Sequence, residues 1–136
     1  MKIKSTAIVL SAGKGKRMNS QIHKQYLLIK DKPVIYYSLM AFEKSDIDDI
    51  VLVVGEAESE YCNKEIIEKY GFTKVRAVVE GGKERYHSVA NGIEAIKWKC
   101  DYVFIHDAAR PYLNIESLNK LKKEGHYKNF YCLKTS

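Results

Sequence analysis

The sequence predicts an α/β fold built on a mostly parallel sheet. Three observations predict it: short apolar runs recur along the chain, each stops at glycine or a polar turn, and stretches of helical periodicity separate them. Strands and helices that alternate through short connections argue for βαβ crossovers.

The first run, Ala7 to Leu10, ends at Ser11-Ala12-Gly13 and suits a strand buried on both faces followed by a glycine-rich turn. Ile50 to Val54 stops at Gly55, Val75 to Val79 at Gly81-Gly82, and Tyr102 to Ile105 at His106-Asp107-Ala108-Ala109-Arg110-Pro111. Between the first two runs, Val34, Ile35, Leu39 and Phe42 share one helical face, entered through Asp31 and Pro33, with the proline in a first turn that needs no N–H. A second helix is expected from Glu58 to Tyr70, with Cys62, Ile66 and Ile67 inward and Gly71 as its stop. A third runs from Arg85 to Lys97 and buries Val89, Ile93 and Ile96. A fourth runs from Ile115 to Glu124 behind Asn114 as its cap. Asn129 to Leu133 reads as a fifth strand followed only by Lys134-Thr135-Ser136, so either the sheet edge is exposed or the chain is a fragment of a longer protein. One domain over residues 1–136, incomplete at its carboxyl end, is the expectation.

Composition narrows the function classes. At 136 residues, with 46% hydrophobic and 29% charged, the chain is long enough for a real core. The net charge of +6 favours anionic ligands. Most lysines are dispersed over amphipathic stretches; only Lys14, Lys16, Arg17 and Lys24 concentrate beside glycine. No aromatic platform or recognition-helix pattern accompanies the charge, which argues against nucleic acid as a partner. The apolar segment Ala7 to Leu10 is far too short for a signal peptide, and no stretch is long enough to span a bilayer, so a cytoplasmic protein away from the membrane is expected. Cys62, Cys100 and Cys132 are odd in number and widely spaced, and read as buried reduced thiols.

The strand ends carry the chemistry, because ligands of such sheets sit beyond the carboxyl ends of the strands. Gly13-Lys14-Gly15-Lys16-Arg17-Met18 follows the first strand, where glycines let main-chain N–H groups approach phosphate oxygens and cations neutralise them. It is neither a Walker A loop nor a dinucleotide fingerprint, since Arg17 and Met18 stand where the third glycine would be. A plain turn with solvated lysines is the alternative. Lys24, in His23-Lys24-Gln25-Tyr26, reaches the same phosphates or is an ordinary surface lysine. Gly81-Gly82-Lys83-Glu84-Arg85 allows the main chain to lie flat against a base, with Ser88 offering a hydroxyl at the start of the helix; the alternative is a turn and helix entry. Asp107, a carboxylate fixed at a strand tip, suits Mg2+, which takes one or two carboxylates plus phosphate oxygens and waters; an ion pair with Arg110 is the alternative. His106 is expected to pack beneath the loop, because no second His or Cys stands at metal spacing.

Taken in order, Leu10-Ser11-Ala12-Gly13-Lys14-Gly15-Lys16-Arg17-Met18, His23-Lys24-Gln25-Tyr26-Leu27, Gly81-Gly82-Lys83-Glu84-Arg85 with Ser88-Val89, and His106-Asp107-Ala108-Ala109-Arg110-Pro111 resemble the methylerythritol-phosphate cytidylyltransferase family. The resemblance implies a three-layer, Rossmann-like sheet of the nucleotidyltransferase (glycosyltransferase-A-like) type, truncated here. It implies CMP transfer from CTP to 2-C-methyl-D-erythritol 4-phosphate with release of pyrophosphate, in isoprenoid precursor synthesis. Ala12, Gly13, Lys14 and Gly15 would then wrap the CTP phosphates, and Gly81, Gly82 and Ser88 would recognise cytidine. Arg17 and Lys24 match transition-state stabilisers, Asp107 the Mg2+ ligand, and Arg110 a residue on the substrate side. The sister activity on ribitol 5-phosphate and a non-catalytic nucleotide-binding fragment are the competing readings. His23 stands where the family has proline, and the family's later half, with its homodimer arm and further acceptor contacts, is absent from this sequence.

Overall fold

A computed structural model of the chain describes residues 4–11, 28–29, 32–108 and 131–134. Its centre is β1 (Ser5–Ser11), buried at every position. A strand buried on both faces must divide its side chains between two cores, because successive residues point to opposite faces. Ala7 and Val9 enter one apolar cluster and Ile8 and Leu10 the other. β4 (Asp49–Val54) divides in the same way, with Ile50, Leu52 and Val54 on the first side and Val51 and Val53 on the second. In β6 (Tyr102–Asp107), Phe104 faces the first cluster and Val103 and Ile105 the second.

The remaining elements follow in chain order. The hairpin of β2 (Leu28–Ile29) and β3 (Lys32–Pro33) is a separate two-stranded antiparallel pair. It leads into α1 (Val34–Glu43), which buries Val34, Ile35, Ser38, Leu39, Ala41 and Phe42. After β4 comes α2 (Ser59–Cys62), continued by a π-helical stretch over Asn63–Glu68. Then come β5 (Val75–Glu80), α3 (Arg85–Glu94), β6 and β7 (Tyr131–Lys134). The main sheet has the order β5-β4-β1-β6-β7. β5, β4, β1 and β6 are mutually parallel and β7 pairs antiparallel with β6. Helices cover both faces: α1 and the α2 region lie over the first cluster, and α3 over the second.

Several expectations change in detail. Pro33 is the residue before α1, with φ −64° and ψ 150°, so its ring presets the entry without standing inside the first turn. The third helix ends at Glu94 rather than Lys97, and Ile93 is 38% exposed rather than buried. The cause is Gly92: with Ser88 it faces the sheet, so the helix lies close and turns Ile93 outward. A Cβ at residue 92 would stand 2.8 Å from Ile8 Cγ2 and 3.1 Å from Val53 Cγ2. The second helix covers the expected span with Cys62 and Ile66 buried, but six of its residues are wound as π-helix, which leaves no mark in apolar spacing. Gly71 ends that segment at φ +68°, as the stop requires. The fifth strand lies at 131–134 and is the sheet's antiparallel member. The expected fourth helix, Ile115 to Glu124, lies outside the described residues.

Polar groups close the sheet's amino-terminal edge. Asp101 Oδ2 accepts from Lys4 N at 2.9 Å and Asp48 Oδ2 from Ser5 N at 2.9 Å. Lys74 Nζ donates to the carbonyls of Ser45 and Ile47, each at 2.7 Å. Glu43 accepts from the main chain of Thr73 and Lys74, at 3.0 Å each, and from the Thr73 hydroxyl. Cys62 and Cys100 are buried, as expected, while the side chain of Cys132 is outside the description. Among the described residues no helix is long and apolar enough to cross a membrane.

Candidate functional site

Parallel register aligns the strand ends. Ser11 pairs with Val54, Val54 with Glu80, and Leu10 with Asp107. The tips of β5, β4, β1 and β6 therefore form one rim, about 14 Å wide for three inter-strand steps. Glycine and polar residues begin at this rim because each apolar run ends there, where the sheet meets solvent.

Asp107 is exposed, although the strand that carries it is otherwise largely buried. Leu10 and Asp107 share a register level and, by strand alternation, the face that α3 covers. The residue after it is held through both of its main-chain groups. Ala108 N donates to Leu10 O at 2.8 Å, and Ala108 O accepts from Ser38 Oγ at 3.3 Å. His106 is 3% exposed and meets Phe42 of α1 edge-on, ring centroids 5.6 Å apart, so it packs against that helix; the loop it was expected to underlie falls outside the described residues.

The second element of the rim is the turn after β5. Gly81 N donates to Val54 O at 2.7 Å and extends the ladder by one bond. Gly82 follows, and a Cβ there would stand 2.3 Å from His87 Cβ. Glycine at 82 thus has a structural reason alongside its suitability for lying against a base: a side chain would collide with α3. Glu84 precedes α3 in extended conformation, with φ −110° and ψ 160°. Ser88 is 4% exposed at the fourth residue of α3.

Sequence reasoning missed the third element, the turn after β4. Glu58 Oε2 accepts from Gly55 N at 2.9 Å, and Glu80 Oε2 accepts from Ala57 N at 3.2 Å. Ala57 has φ 64°, a left-handed conformation rare for a residue with a Cβ. The carbonyl of Glu80 also accepts from Asn91 Nδ2 at 3.0 Å, so one residue ties the β4 turn, the end of β5 and α3 together. Glutamate directly before paired glycines was the available signal.

The structure therefore brings Asp107, Gly81, Gly82 and Ser88 to one rim, with the exit of β1 between them. Ala12, Gly13, Lys14, Gly15, Arg17, Lys24 and Arg110 lie outside the described residues. The single exposed carboxylate of Asp107 suits a hard divalent cation that takes one carboxylate and completes its shell from phosphates and waters. Among the described residues no cluster of three or more His, Cys, Asp or Glu exists that would form an all-protein cage.

Such a sheet and rim define an α/β protein of the class whose ligands sit beyond the carboxyl ends of parallel strands. Residues 5–129 match the family model of 2-C-methyl-D-erythritol 4-phosphate cytidylyltransferase, and the chain belongs to that family. It is 57% identical over 121 residues to the enzyme of that name from Lachnoclostridium phytofermentans, covering 89% of this chain and 52% of that one. It is 50% identical over 118 residues to the one from Alkaliphilus metalliredigens, covering 86% and 49%. The crystal structure of 4-diphosphocytidyl-2C-methyl-D-erythritol synthase from Anaerococcus prevotii superposes with a TM-score of 0.73 at 28% identity, over 89% of this chain and 50% of that one. The chain spans about half the length of these relatives.

Proposed function

We propose that this chain carries the CTP-binding half of a cytidylyltransferase that transfers CMP to 2-C-methyl-D-erythritol 4-phosphate and releases pyrophosphate. The observation that carries the reading is the shared rim, on which Asp107 stands beside the end of β1 while the Gly81-Gly82 turn follows β5, three strand steps from β6, and leads into α3 with Ser88. That separation suits a nucleotide whose phosphates lie near β1 and β6 and whose base lies near β5.

In this reading Ala12, Gly13, Lys14 and Gly15 supply main-chain N–H groups and charge to the triphosphate, and the Gly81-Gly82 main chain and Ser88 contact cytidine. An oxygen of the acceptor's phosphate monoester attacks the α-phosphorus of CTP, the new P–O bond forms, and the bond to the β-phosphate oxygen breaks. The nucleophile is already anionic, so positioning and charge neutralisation matter more than a general base. Arg17 and Lys24 stabilise the charge that accumulates on the phosphoryl oxygens, and Arg110 holds the acceptor phosphate. Asp107 would hold Mg2+, which supplies further neutralisation of the triphosphate when bound.

The test is twofold. Calorimetry with CTP and Mg2+ on this chain should show one saturable site, weakened by Asp107→Asn. Pyrophosphate release from CTP with methylerythritol phosphate, and not with ribitol 5-phosphate, should appear in a protein that also contains the segment corresponding to the relatives' second half. Absence of CTP binding by the chain would refute the site, and preference for ribitol phosphate would refute the acceptor.

A further inference from the structure

We propose that His87 is a positioning residue for the nucleotide base, holding the Gly81–Glu84 turn in the shape that presents its main chain. This rests on reading the rim as a nucleotide site. The physical starting point is the free N–H at a helix entrance. In a capping box the third helical residue, usually Glu or Gln, reaches back to the N–H of the residue before the helix. In this chain His87 takes that place, and Glu84 N donates to His87 Nδ1 at 3.2 Å. The clasp is reciprocal, because His87 N donates to Glu84 O at 3.1 Å and Ser88 N to the same oxygen at 3.2 Å.

The His87 side chain also lies close against Gly82. His87 Cβ and Cγ occupy the space where a Cβ on residue 82 would lie, at 2.3 and 3.0 Å. The turn therefore rests against the His87 side chain at Gly82 and is bonded to it at Glu84, which brackets Lys83. The Tyr86 ring lies tilted beside the imidazole, centroids 4.2 Å apart at 43°. With Nδ1 accepting, a neutral imidazole carries its proton on Nε2.

His87 is exposed and belongs to neither apolar cluster, so its removal empties no core. What it sets is the entrance to α3 and the conformation of the diglycine. Ser88 comes next in the same turn, so the hydroxyl and the glycine main chain share one support.

Two variants separate positioning from general stability. In His87→Asn, Oδ1 stands the same number of bonds from Cα as Nδ1 does and can accept the same N–H; in His87→Ala nothing can. The expected result is that His87→Ala weakens CTP binding about fivefold to tenfold, the worth of one capping hydrogen bond. Exchange of the Glu84 amide proton should accelerate in the same variant. His87→Asn should bind CTP within about twofold of the parent and keep that amide protected. The proposal is overturned if His87→Asn and His87→Ala weaken CTP binding alike, if His87→Ala binds as the parent does, or if Glu84 exchanges equally fast in all three proteins. Absence of CTP binding in the parent would refute the nucleotide reading and this role with it, whereas the Glu84 comparison alone would still decide whether His87 holds the turn.

Discussion

The hydroxyl of Ser38, in the middle of α1, donates to the carbonyl of Ala108 across 70 residues of sequence. That bond holds the carbonyl of the residue just beyond Asp107, while Leu10 O accepts from the N–H of the same residue. The carboxylate at the strand tip thus stands next to a residue anchored at both its N–H and its C=O.

Replacing Ser38 with Ala removes the donor and leaves a buried carbonyl short of a partner, at a cost of about 1–3 kcal/mol. Thermal unfolding should shift down accordingly. Mg2+-dependent CTP affinity should fall in the same variant, because the strand tip gains freedom; a variant destabilised but with unchanged affinity would show that the clamp serves the fold alone.

Asp107→Asn keeps the size of the side chain and removes its charge at an exposed position. Stability should stay within about 0.5 kcal/mol of the parent. The gain in CTP affinity that Mg2+ confers should fall by about tenfold or more, since the carboxylate is the cation's protein ligand in the proposed site. Calorimetry with and without Mg2+ reads both quantities.

Gly92→Ala forces a methyl group toward Ile8 and Val53, at 2.8 and 3.1 Å. Overpacking of this kind costs about 1–3 kcal/mol and pushes α3 off the sheet. The melting temperature should drop by several degrees. Because α3 carries Ser88, CTP binding should weaken in the same protein.

Glu43 gives a pH dependence with a definite sign. Burial pushes its carboxyl up, but the hydrogen bonds from Thr73 and Lys74 and the charge of Lys74 outweigh that and hold it below the ordinary value of 4.5. A carboxylate with a lowered folded pKa contributes stability above its unfolded value and loses it as pH falls through the folded one. Exposure limits the effect to under about 1 kcal/mol. Denaturant midpoints measured between neutral pH and acid should fall in that acidic window, and Glu43→Gln should remove this part of the slope.

The strands were legible because their signal is local. Four apolar runs, each stopped by glycine or a polar turn, state both that a strand is buried on two faces and where it leaves the core. The same holds for Gly71, which ends its helix at φ +68°. Ile93 was misread for the opposite reason: apolar spacing made it a core residue, and only the close approach permitted by Gly92 turned it outward. His87 carried no local signal either, and Glu80 only its place before paired glycines, since their roles come from the turns they hold.

By itself, then, the sequence determined that this protein alternates strand and helix, which residues form its parallel strands, and that Gly55, Gly81, Gly82 and Asp107 fall at strand ends. Periodicity and turn chemistry are properties of neighbours in the chain, and they survive without a fold. Tertiary structure alone decided the order β5-β4-β1-β6-β7, the reversed direction of β7, and the register that sets Leu10 beside Asp107. Those outcomes depend on contacts between segments tens of residues apart, whose geometry is fixed only when both faces of β1 are covered at once.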